Sequence, residues 1–206
     1  MNILILGGTG RVGSQIVTHA LHDGHHVTAL VRSPEKIEYN HENLSIIKGN
    51  VLNKEDIEQV MQGNDVVISA LGTDGATTLT ESMLLIIEAM ENEGIKRIIT
   101  IGTAGILQSR ITPELLRYQS SESKRKLTRA AEEHHKAYDM LKASELDWTI
   151  VCPTYLPDGE RLATYRTEGN FLPEGGTQIS VPDTAEFAYS QINSCDYLKM
   201  RVGIAY

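Results

Sequence analysis

The sequence has little cysteine, no excess of positive charge and no long apolar run. Its two cysteines, Cys152 and Cys195, lie far apart, and we expect free thiols in a reducing cytoplasm rather than a disulfide. The net charge of −8 argues against a nucleic-acid-binding protein. No stretch approaches the ~18 consecutive apolar residues that predict a membrane span. The chain opens as a strand without a charged leader, so we expect a cytoplasmic location.

Patterns typical of metal ligands are also missing. The sequence has neither a Cys-x-x-Cys pair nor a His/Cys cluster, and the adjacent histidines at 25–26 and 134–135 point to different faces of a strand or helix. We therefore expect no metal site. The 206 residues are enough to bury a sizeable core, and we expect a single domain.

The first thirteen residues contain the most specific pattern in the chain, an apolar run followed by a glycine-rich turn: MNILILGGTGRVG. The run predicts a strand that is buried on both faces of a parallel sheet. Gly7 and Gly8 permit a sharp turn. Gly10 leaves room for a pyrophosphate, and Gly13 lets the following helix pack closely. Because the free N–H groups of that helix would face the phosphates, the pattern predicts a dinucleotide-binding site.

Strand and helix patterns alternate along the chain after this turn. We expect strands at 2–6, 25–31, 44–48, 65–71, 96–101, 147–152 and 201–206, with possible short strands at 163–167 and 178–181. We expect helices at 12–21, 33–36, 53–62, 80–92, 122–143 and 183–193, with Ser33, Asn53 and Asp183 as N-caps. The alternation predicts an α/β fold, a Rossmann-like doubly wound parallel sheet with helices on both faces. Residues 1–102 form its regular βαβ half, and residues 103–206 form a substrate-side half with a small C-terminal elaboration over the cofactor.

The end of the second predicted strand indicates which dinucleotide binds. An NAD site of this kind places an acidic residue there to hold the ribose hydroxyls. This chain has Val31-Arg32-Ser33 instead, and the Arg32 guanidinium suits a 2′-phosphate. Ser33 can add donors. We therefore predict NADP(H) in preference to NAD(H); the alternative is an ordinary exposed arginine.

Further cofactor contacts are expected where other strands end, because ligands of such sheets bind beyond the carboxyl ends of the strands. We expect Asn50 and Val51 near the adenine, and Ala70, Leu71 and Gly72 near a ribose. The expected contacts up to this point are Gly7, Thr9, Gly10, Arg11, Val12, Gly13, Arg32, Ser33, Asn50, Val51, Ala70, Leu71 and Gly72. For the contacts after the third and fourth strands, simple loop chemistry is an equal alternative.

Five segments resemble the atypical short-chain dehydrogenases of the NmrA-like NAD(P)H-binding group, and within it the flavin reductase/biliverdin reductase B type. The segments are GGTGRVG, HVTALVRSPEK, SIIKGNVLN, DVVISALGT and LKASELDWTIVCPTYLPDG. The resemblance implies an enzyme that passes a hydride from NADPH to a flavin, a linear tetrapyrrole or a quinone-like acceptor. Other members of the wider group act as redox sensors without turnover.

The resemblance also implies site residues. Thr103 takes the place of a serine near the nicotinamide, Tyr155 that of a histidine after the sixth strand, and His134 matches a helix histidine. Asp74 stands where the family has an arginine, which puts an anionic tetrapyrrole in doubt. We therefore expect Thr103 and Tyr155 as catalytic residues and Thr103, Pro153 and Thr154 as added cofactor contacts. The expected substrate pocket is Thr73, His134, Tyr155 and Leu156, of which Thr73 comes from its place after the fourth strand and Leu156 from the irregular run that could form a flat, stacking pocket.

Tyr138 and Lys142 match the Tyr-x-x-x-Lys pair with which ordinary short-chain dehydrogenases protonate a carbonyl. Tyr138 lies only nine residues before Asp147, at the far end of its predicted helix from the substrate. We therefore interpret Tyr138 as a surface or packing residue.

Three functions remain open at this point. The first is an NADPH-dependent reductase of a flat conjugated acceptor, working as a monomer or weak homodimer. The second is a non-catalytic NADP(H) sensor that reports to a protein partner. The third and weakest is a nucleotide-sugar epimerase or dehydratase, because such enzymes need the Tyr/Lys pair and a larger second domain.

Overall fold

A computed structural model describes residues 1–37, 40–123 and 127–206 of the chain. Within these residues it contains eight strands and five α-helices. The strands are β1 (Asn2–Leu6), β2 (His26–Val31), β3 (Leu44–Lys48), β4 (Val66–Ser69), β5 (Arg97–Ile101), β6 (Asp147–Pro153), β7 (Arg166–Gly169) and β8 (Met200–Ala205). The helices are α1 (Arg11–His22), α2 (Lys54–Met61), α3 (Thr78–Glu93), α4 (Arg129–Ala143) and α5 (Val181–Ser190). Short 3₁₀ segments cover Pro34–Lys36, Ala104–Ile106 and Arg117–Gln119.

All eight strands belong to one sheet, in the order β3-β2-β1-β4-β5-β6-β8-β7. Neighbouring strands are parallel except β7, which runs antiparallel to β8. The predicted Rossmann-like, doubly wound fold is therefore confirmed. The chain order reverses between β1 and β4. In such sheets, ligands bind at this point, in the crevice outside the carboxyl ends of the strands.

The core lies on both faces of the sheet. Along β1, Leu4 and Leu6 pack with helices α2, α3 and α4, whereas Ile3 and Ile5 pack with α1 and α5. All four side chains are fully buried, and burial of each stabilises the fold by roughly 1.5–3 kcal/mol. The unbroken apolar run that the sequence shows in this strand is thus explained by two buried faces.

The predicted long helix 122–143 is wrong at its start. The observed helix α4 begins at Arg129, and Glu122 lies in a turn where its carboxylate accepts the backbone N–H of Arg110 at 2.8 Å. This contact holds Glu122 against a loop twelve residues earlier rather than in a helix. Residues 124–126, which the prediction included, lie outside the described residues.

The predicted short strands are displaced. Strand β7 covers 166–169 rather than 163–167, because Ala163 has φ +55° and donates its N–H to the Asp183 carboxylate at 2.9 Å. Only Gln178 of 178–181 makes a strand contact, a single bridge to Tyr155.

The caps are confirmed in part. Asn53 caps α2 by accepting the N–H of Asp56 at 2.8 Å, as predicted. The cap of α5 is Ser180 rather than Asp183: the Ser180 hydroxyl accepts the Asp183 N–H at 3.2 Å, and the helix ends at Ser190 rather than near residue 193. Ser33 precedes the 3₁₀ turn but makes no side-chain cap bond.

Candidate active site

The turn between β1 and α1 is built from close backbone contacts. Gly7 has φ +81°, and its carbonyl accepts the N–H of Gly10 at 2.9 Å. A Cβ atom on Gly13 would lie 2.1 Å from the Gly7 oxygen, so only glycine lets the helix pack this closely. The close packing predicted for Gly13 is present.

The start of α1 is available to an anion. Its N-cap residue, Gly10, offers no side-chain cap, and the first turn holds no acidic residue. The first N–H groups of a helix have no partner within it, and they carry its positive dipole end. Arg11, Val12 and Gly13 therefore present backbone N–H groups of the kind that bind phosphates.

A cleft of about 470 Å³ lies beyond the carboxyl ends of β1, β2, β3 and β4. We call it the cofactor cleft. Nine of the predicted cofactor contacts line it: Gly7, Thr9, Gly10, Arg32, Asn50, Val51, Ala70, Leu71 and Gly72. Residues that the prediction did not include are Leu30, Val31, Gly49, Leu52, Asp74, Ala76 and Thr78. The structure thus brings the adenosine-side predictions together around one space.

The cofactor cleft contains one cation and one carboxylate. Arg32 is exposed at the end of β2. The Asp74 carboxylate accepts the Thr78 hydroxyl at 2.5 Å and the Ala76 N–H at 2.9 Å. These bonds, with a smaller effect of the Arg32 charge, hold the pKa of Asp74 below its usual value. Asp74 therefore lies in the cofactor cleft. The sequence analysis had instead placed it beside the acceptor.

The turn after β3 has a fixed shape. The Asn50 N–H donates to the Asp56 carboxylate at 2.7 Å, and the Asn50 side chain accepts the Leu52 N–H at 3.1 Å. A Cβ on Gly49 would lie 2.7 Å from a Leu30 methyl group. The turn beside Val31 and Arg32 is thus shaped by contacts within the chain.

A second cavity of about 370 Å³ lies beyond the ends of β5 and β6, and we call it the Thr103 cavity. Thr103, Thr154 and Tyr155 line it, so both predicted catalytic residues face one space. Thr103 precedes the 3₁₀ segment Ala104–Ile106, and its hydroxyl accepts the Gly105 N–H at 3.4 Å. Tyr155 is 60% exposed, and its carbonyl accepts the Ile179 N–H at 3.0 Å.

Sequence reasoning missed most of the opposite wall of this cavity. It is formed by Ala104, Gly105, Arg117, Tyr118, Glu122, Ser123, Leu127, Thr128, Ala130, Ala131 and Thr177. The Tyr118 hydroxyl lies 3.0 Å from His135 Nδ1, which fixes the position of its ring. These residues lie around the point where the predicted helix started too early, so no periodic pattern identified them.

The other predicted pocket residues lie apart from the Thr103 cavity. Thr73 lines a third cavity between the start of α3 and the start of α4. Leu156 packs against the core formed by α1 and α5, and Pro153 is buried at the end of β6. His134 lies half-buried on α4, one turn beyond Ala130 and Ala131.

His134 is neutral at physiological pH. Burial lowers its pKa to about 4, and the nearby Glu133 charge only partly opposes that effect. A neutral imidazole of this kind is a poor proton donor near pH 7.

Arg11 makes a contact that the sequence did not predict. Its guanidinium Nη1 donates to the Leu156 carbonyl at 3.0 Å and to the Asp158 carboxylate at 2.9 Å. This exposed pair ties the start of α1 to the loop after β6. The two halves of the predicted site are therefore joined at the glycine-rich turn after β1.

Of the two alternatives for Tyr138, a surface or a packing residue, the structure shows packing against the core. Its ring contacts Trp148 edge-on with centroids 5.8 Å apart, and the Arg201 guanidinium lies 4.4 Å from the Tyr138 centroid. Lys142 lies 5.9 Å from the same centroid. The Tyr138/Lys142 pair thus forms a packing cluster on α4.

Several other features of the described residues bear on function. No group of three or more His, Cys, Asp or Glu side chains among them is placed to hold a metal ion. None of their helices combines the length and apolar character needed to cross a membrane. Cys152 and Cys195 are free thiols, and burial raises the pKa of Cys152 to about 12.

Comparisons of sequence place the chain in a known family. A family described as NAD(P)H-binding matches residues 7–194. The Bacillus subtilis protein YwnB is 28% identical over 202 residues, which cover 90% of this chain and 89% of YwnB. Photosystem II assembly factor Ycf39 of Synechocystis is 35% identical over 106 residues, or 48% of this chain and 32% of Ycf39. The chain therefore matches about a third of the length of Ycf39.

Solved structures match the whole chain. A Streptococcus pneumoniae protein, provisionally named an NADH-flavin reductase, has a TM-score of 0.83 at 25% identity, with 100% of this chain and 99% of that one covered. A Bacteroides thetaiotaomicron protein, provisionally named an epimerase, has a TM-score of 0.87 at 29% identity, with 100% and 96% covered.

Proposed function

The chain belongs to the NAD(P)H-binding family, and on that premise we propose that it is an NADPH-dependent reductase of a flat conjugated acceptor. The observation that carries the proposal is the presence of two cavities along one edge of the sheet. The cofactor cleft holds Arg32 and the glycine turn, and the Thr103 cavity holds Thr103 and Tyr155. A dinucleotide that spans from one cavity to the other would bring its nicotinamide to the acceptor.

The residues present fit a dinucleotide. The space between Gly7 and Gly13 would be filled by a Cβ atom, and the start of α1 has no side-chain cap. We propose that the N–H groups of Arg11 and Val12 bind the pyrophosphate and that Asn50 and Val51 adjoin the adenine. Gly72 leaves open space in the cleft, since a Cβ there would meet no atom within 4 Å. We propose that a ribose occupies that space.

Preference for NADPH rests on Arg32. Arg32 lines the cofactor cleft, and a 2′-phosphate accepts charge-assisted hydrogen bonds from a guanidinium. Asp74 shares the cleft and weakens this preference, because its carboxylate repels the same phosphate. We propose that Arg32 prevails, since the Asp74 oxygens already accept bonds from Thr78 and Ala76.

The reaction requires the protein mainly to position the nicotinamide against the acceptor. Bound NADPH supplies the hydride. Thr103 and Tyr155 orient the nicotinamide and the acceptor, and the walls of the Thr103 cavity limit access of water. Because His134 is neutral, we propose that solvent rather than His134 supplies the proton. The flavin-reductase name of the Streptococcus pneumoniae relative supports a flavin as the acceptor, although that name specifies NADH.

Steady-state oxidation of NADPH tests the proposal, with FMN, FAD, biliverdin and a quinone as acceptors. We expect turnover with at least one of them, at a lower kcat in a Thr103→Val variant. A matched control is Lys142→Gln, which alters an exposed residue outside the three cavities described above. Tight NADPH binding without turnover of any acceptor would contradict the reductase proposal.

A second candidate is an NADP(H) sensor without turnover. The described lining of the Thr103 cavity contains no histidine, which favours this candidate. The partial match to an assembly factor, Ycf39, is consistent with a protein-binding role. A sensor should bind NADPH and NADP⁺ with clearly different affinities, and isothermal titration of both would measure this. The epimerase name of the Bacteroides relative has less support, since Tyr138 is packed against Trp148.

A further inference from the structure

A smaller cavity of about 220 Å³ adjoins the Thr103 cavity. Arg117 and Glu122 line both spaces, so this pair forms the wall between them. The smaller cavity is also lined by Gln108, Arg110, Leu172, Pro173, Glu174 and the glycines at 175–176. An acceptor in the Thr103 cavity therefore has room for an arm that reaches the Arg117 wall.

The Arg117 side chain is partly desolvated. It is about 20% exposed, and its backbone N–H donates to the Leu107 carbonyl at 2.8 Å. The nearest carboxylate is that of Glu122, 3.7 Å from Arg117 Nε and thus beyond hydrogen-bond length. Among the described residues, the Arg117 guanidinium donates no hydrogen bond of its own. Its charge is paired with Glu122 at that distance, but its N–H groups make no hydrogen bond among the described residues and can donate to a ligand.

Glu122 does not depend on Arg117 for its position. Its carboxylate accepts the Arg110 N–H at 2.8 Å. Burial raises the pKa of Glu122, but hydrogen bonds from Ser109 and Arg110, followed by the Arg117 charge, outweigh burial and hold the pKa below its usual value. Glu122 therefore stays ionised and is held to the loop at 109–111, while Arg117 lines both cavities.

The other cation at this wall is already paired. The Arg110 guanidinium donates to the Glu168 carboxylate at 2.5 Å and lies 4.8 Å from the centroid of the Phe171 ring. Arg117 is thus the cation of the Thr103 cavity with donors to spare among the described residues. A guanidinium with free N–H groups binds carboxylate and phosphate in a bidentate fashion.

Building on the proposed function, we propose that Arg117 binds an anionic arm, a carboxylate or a phosphate, of the acceptor whose flat ring lies in the Thr103 cavity. The substrate class is then a flat conjugated acceptor that carries such an arm. The net charge of the whole chain, −8, would disfavour an anion, so tighter binding of an anionic acceptor requires a local cation. Arg117 supplies that cation in the Thr103 cavity, and the Glu122 carboxylate 3.7 Å away offsets part of its charge.

FMN and riboflavin test the proposal, because they share one ring and one arm and differ in the phosphate. Fluorescence titration of the NADP⁺-loaded protein measures the affinity of each without requiring turnover. We expect FMN to bind at least about tenfold more tightly than riboflavin, and Arg117→Gln to remove that difference. A flavin with a carboxymethyl arm distinguishes a carboxylate source from a phosphate source. Equal affinity for charged and neutral arms would overturn the proposal.

Two further variants make the result specific. Arg117→Lys keeps the charge and should retain part of the preference for FMN, which a merely structural role would not predict. Lys142→Gln removes one positive charge from α4 outside the cavities and should leave the preference unchanged. If Arg117→Gln weakens the binding of FMN and of riboflavin equally, the anion site is refuted.

Steady-state kinetics separate this proposal from the reductase proposal. Arg117→Gln should raise KM for FMN and leave kcat and the KM for riboflavin nearly unchanged. If FMN binds through Arg117 but NADPH is not oxidised, the anion site stands and the reductase proposal fails. If NADPH is oxidised with FMN and riboflavin at equal KM, the reductase proposal stands and the anion site fails.

Discussion

Replacing Gly13 with alanine should destabilise the protein, although alanine is the better helix former. Gly13 lies in the first turn of α1, where the propensity gain from glycine to alanine is about 1 kcal/mol. The added Cβ, however, would lie 2.1 Å from the Gly7 oxygen and 2.8 Å from the Gly7 carbonyl carbon. Gly7 cannot move away, because its own Cα side is closed by the Ala70 backbone: a Cβ there would lie 2.6 Å from the Ala70 oxygen.

The cost follows from the movement that this contact requires. Ordinary contacts begin at about 3.4 Å, so the start of α1 must withdraw from the turn by about 1.3 Å. Ile16 and Val17, both fully buried, move with it. Overpacking of this kind costs about 1–3 kcal/mol, and a rigid backbone atom as the partner places the cost at the upper end. After the gain in helix propensity, we expect a net loss of about 2 kcal/mol, or roughly 4–8 °C in Tm.

Urea unfolding followed by circular dichroism measures this difference in the free energy of unfolding. Gly72→Ala is the matched control: it adds the same methyl group where no atom lies within 4 Å, and should change stability by less than about 0.5 kcal/mol. If Gly13→Ala is as stable as the wild type or more stable, the steric account of the turn is refuted.

Three further predictions concern charged residues. Arg32→Gln should weaken the binding of NADPH about tenfold and the binding of NADH less than about twofold, as measured by isothermal titration, because only NADPH carries the 2′-phosphate. Equal losses of affinity for the two would refute the cofactor assignment. Asp158→Asn should increase the affinity for NADPH by up to about fivefold, because the Arg11 side chain is then free to bind the pyrophosphate. Unchanged or weaker NADPH binding would show that the Arg11–Asp158 pair does not compete with the cofactor. Asp183→Asn should destabilise the fold by about 2 kcal/mol at pH 7, because the buried carboxylate accepts four hydrogen bonds. Burial would raise the pKa of Asp183, but those bonds hold it below its usual value of about 3.9. The difference in unfolding free energy between variant and wild type should therefore persist above that pH and shrink as the pH falls below it. A difference that does not depend on pH would contradict this.

Local patterns were sufficient to predict the fold of the regular βαβ half. The apolar run of β1 allows one arrangement, buried on both faces, and the glycines that follow it leave space only for backbone. Asn53 is a cap candidate without a competitor in its turn, and it caps α2 as predicted. The cofactor cleft then follows from the sheet order, because parallel strands place their carboxyl ends together.

The acceptor half depended on contacts between distant residues. Ser180 and Asp183 are both good cap residues, and the sequence alone favoured Asp183. The structure selects Ser180 because the Asp183 carboxylate accepts the N–H groups of Leu162 and Ala163 about twenty positions away. Glu122 is likewise held by Arg110, and no helical or strand period records that contact.

The same limitation applied to the walls of the Thr103 cavity. Leu127 is 88% exposed and lines the cavity just before α4, where an amphipathic pattern would place a polar residue. Arg117 lies in a single 3₁₀ turn, which is too short for periodicity to reveal. Thr103 and Tyr155 were identified through the family resemblance, whereas their partners across the cavity required the fold.

The central claim, that NADPH passes a hydride to an acceptor in the Thr103 cavity, is tested most directly by a single-turnover reaction without oxygen. The protein is mixed with one equivalent of NADPH and of FMN, and the absorbance of both is followed. We expect stoichiometric loss of NADPH with matching reduction of FMN, slowed when the transferred hydrogen is deuterium and slowed in Thr103→Val but not in Lys142→Gln. Bound NADPH that stays unoxidised, or the same rate in Thr103→Val as in the wild type, would contradict the account.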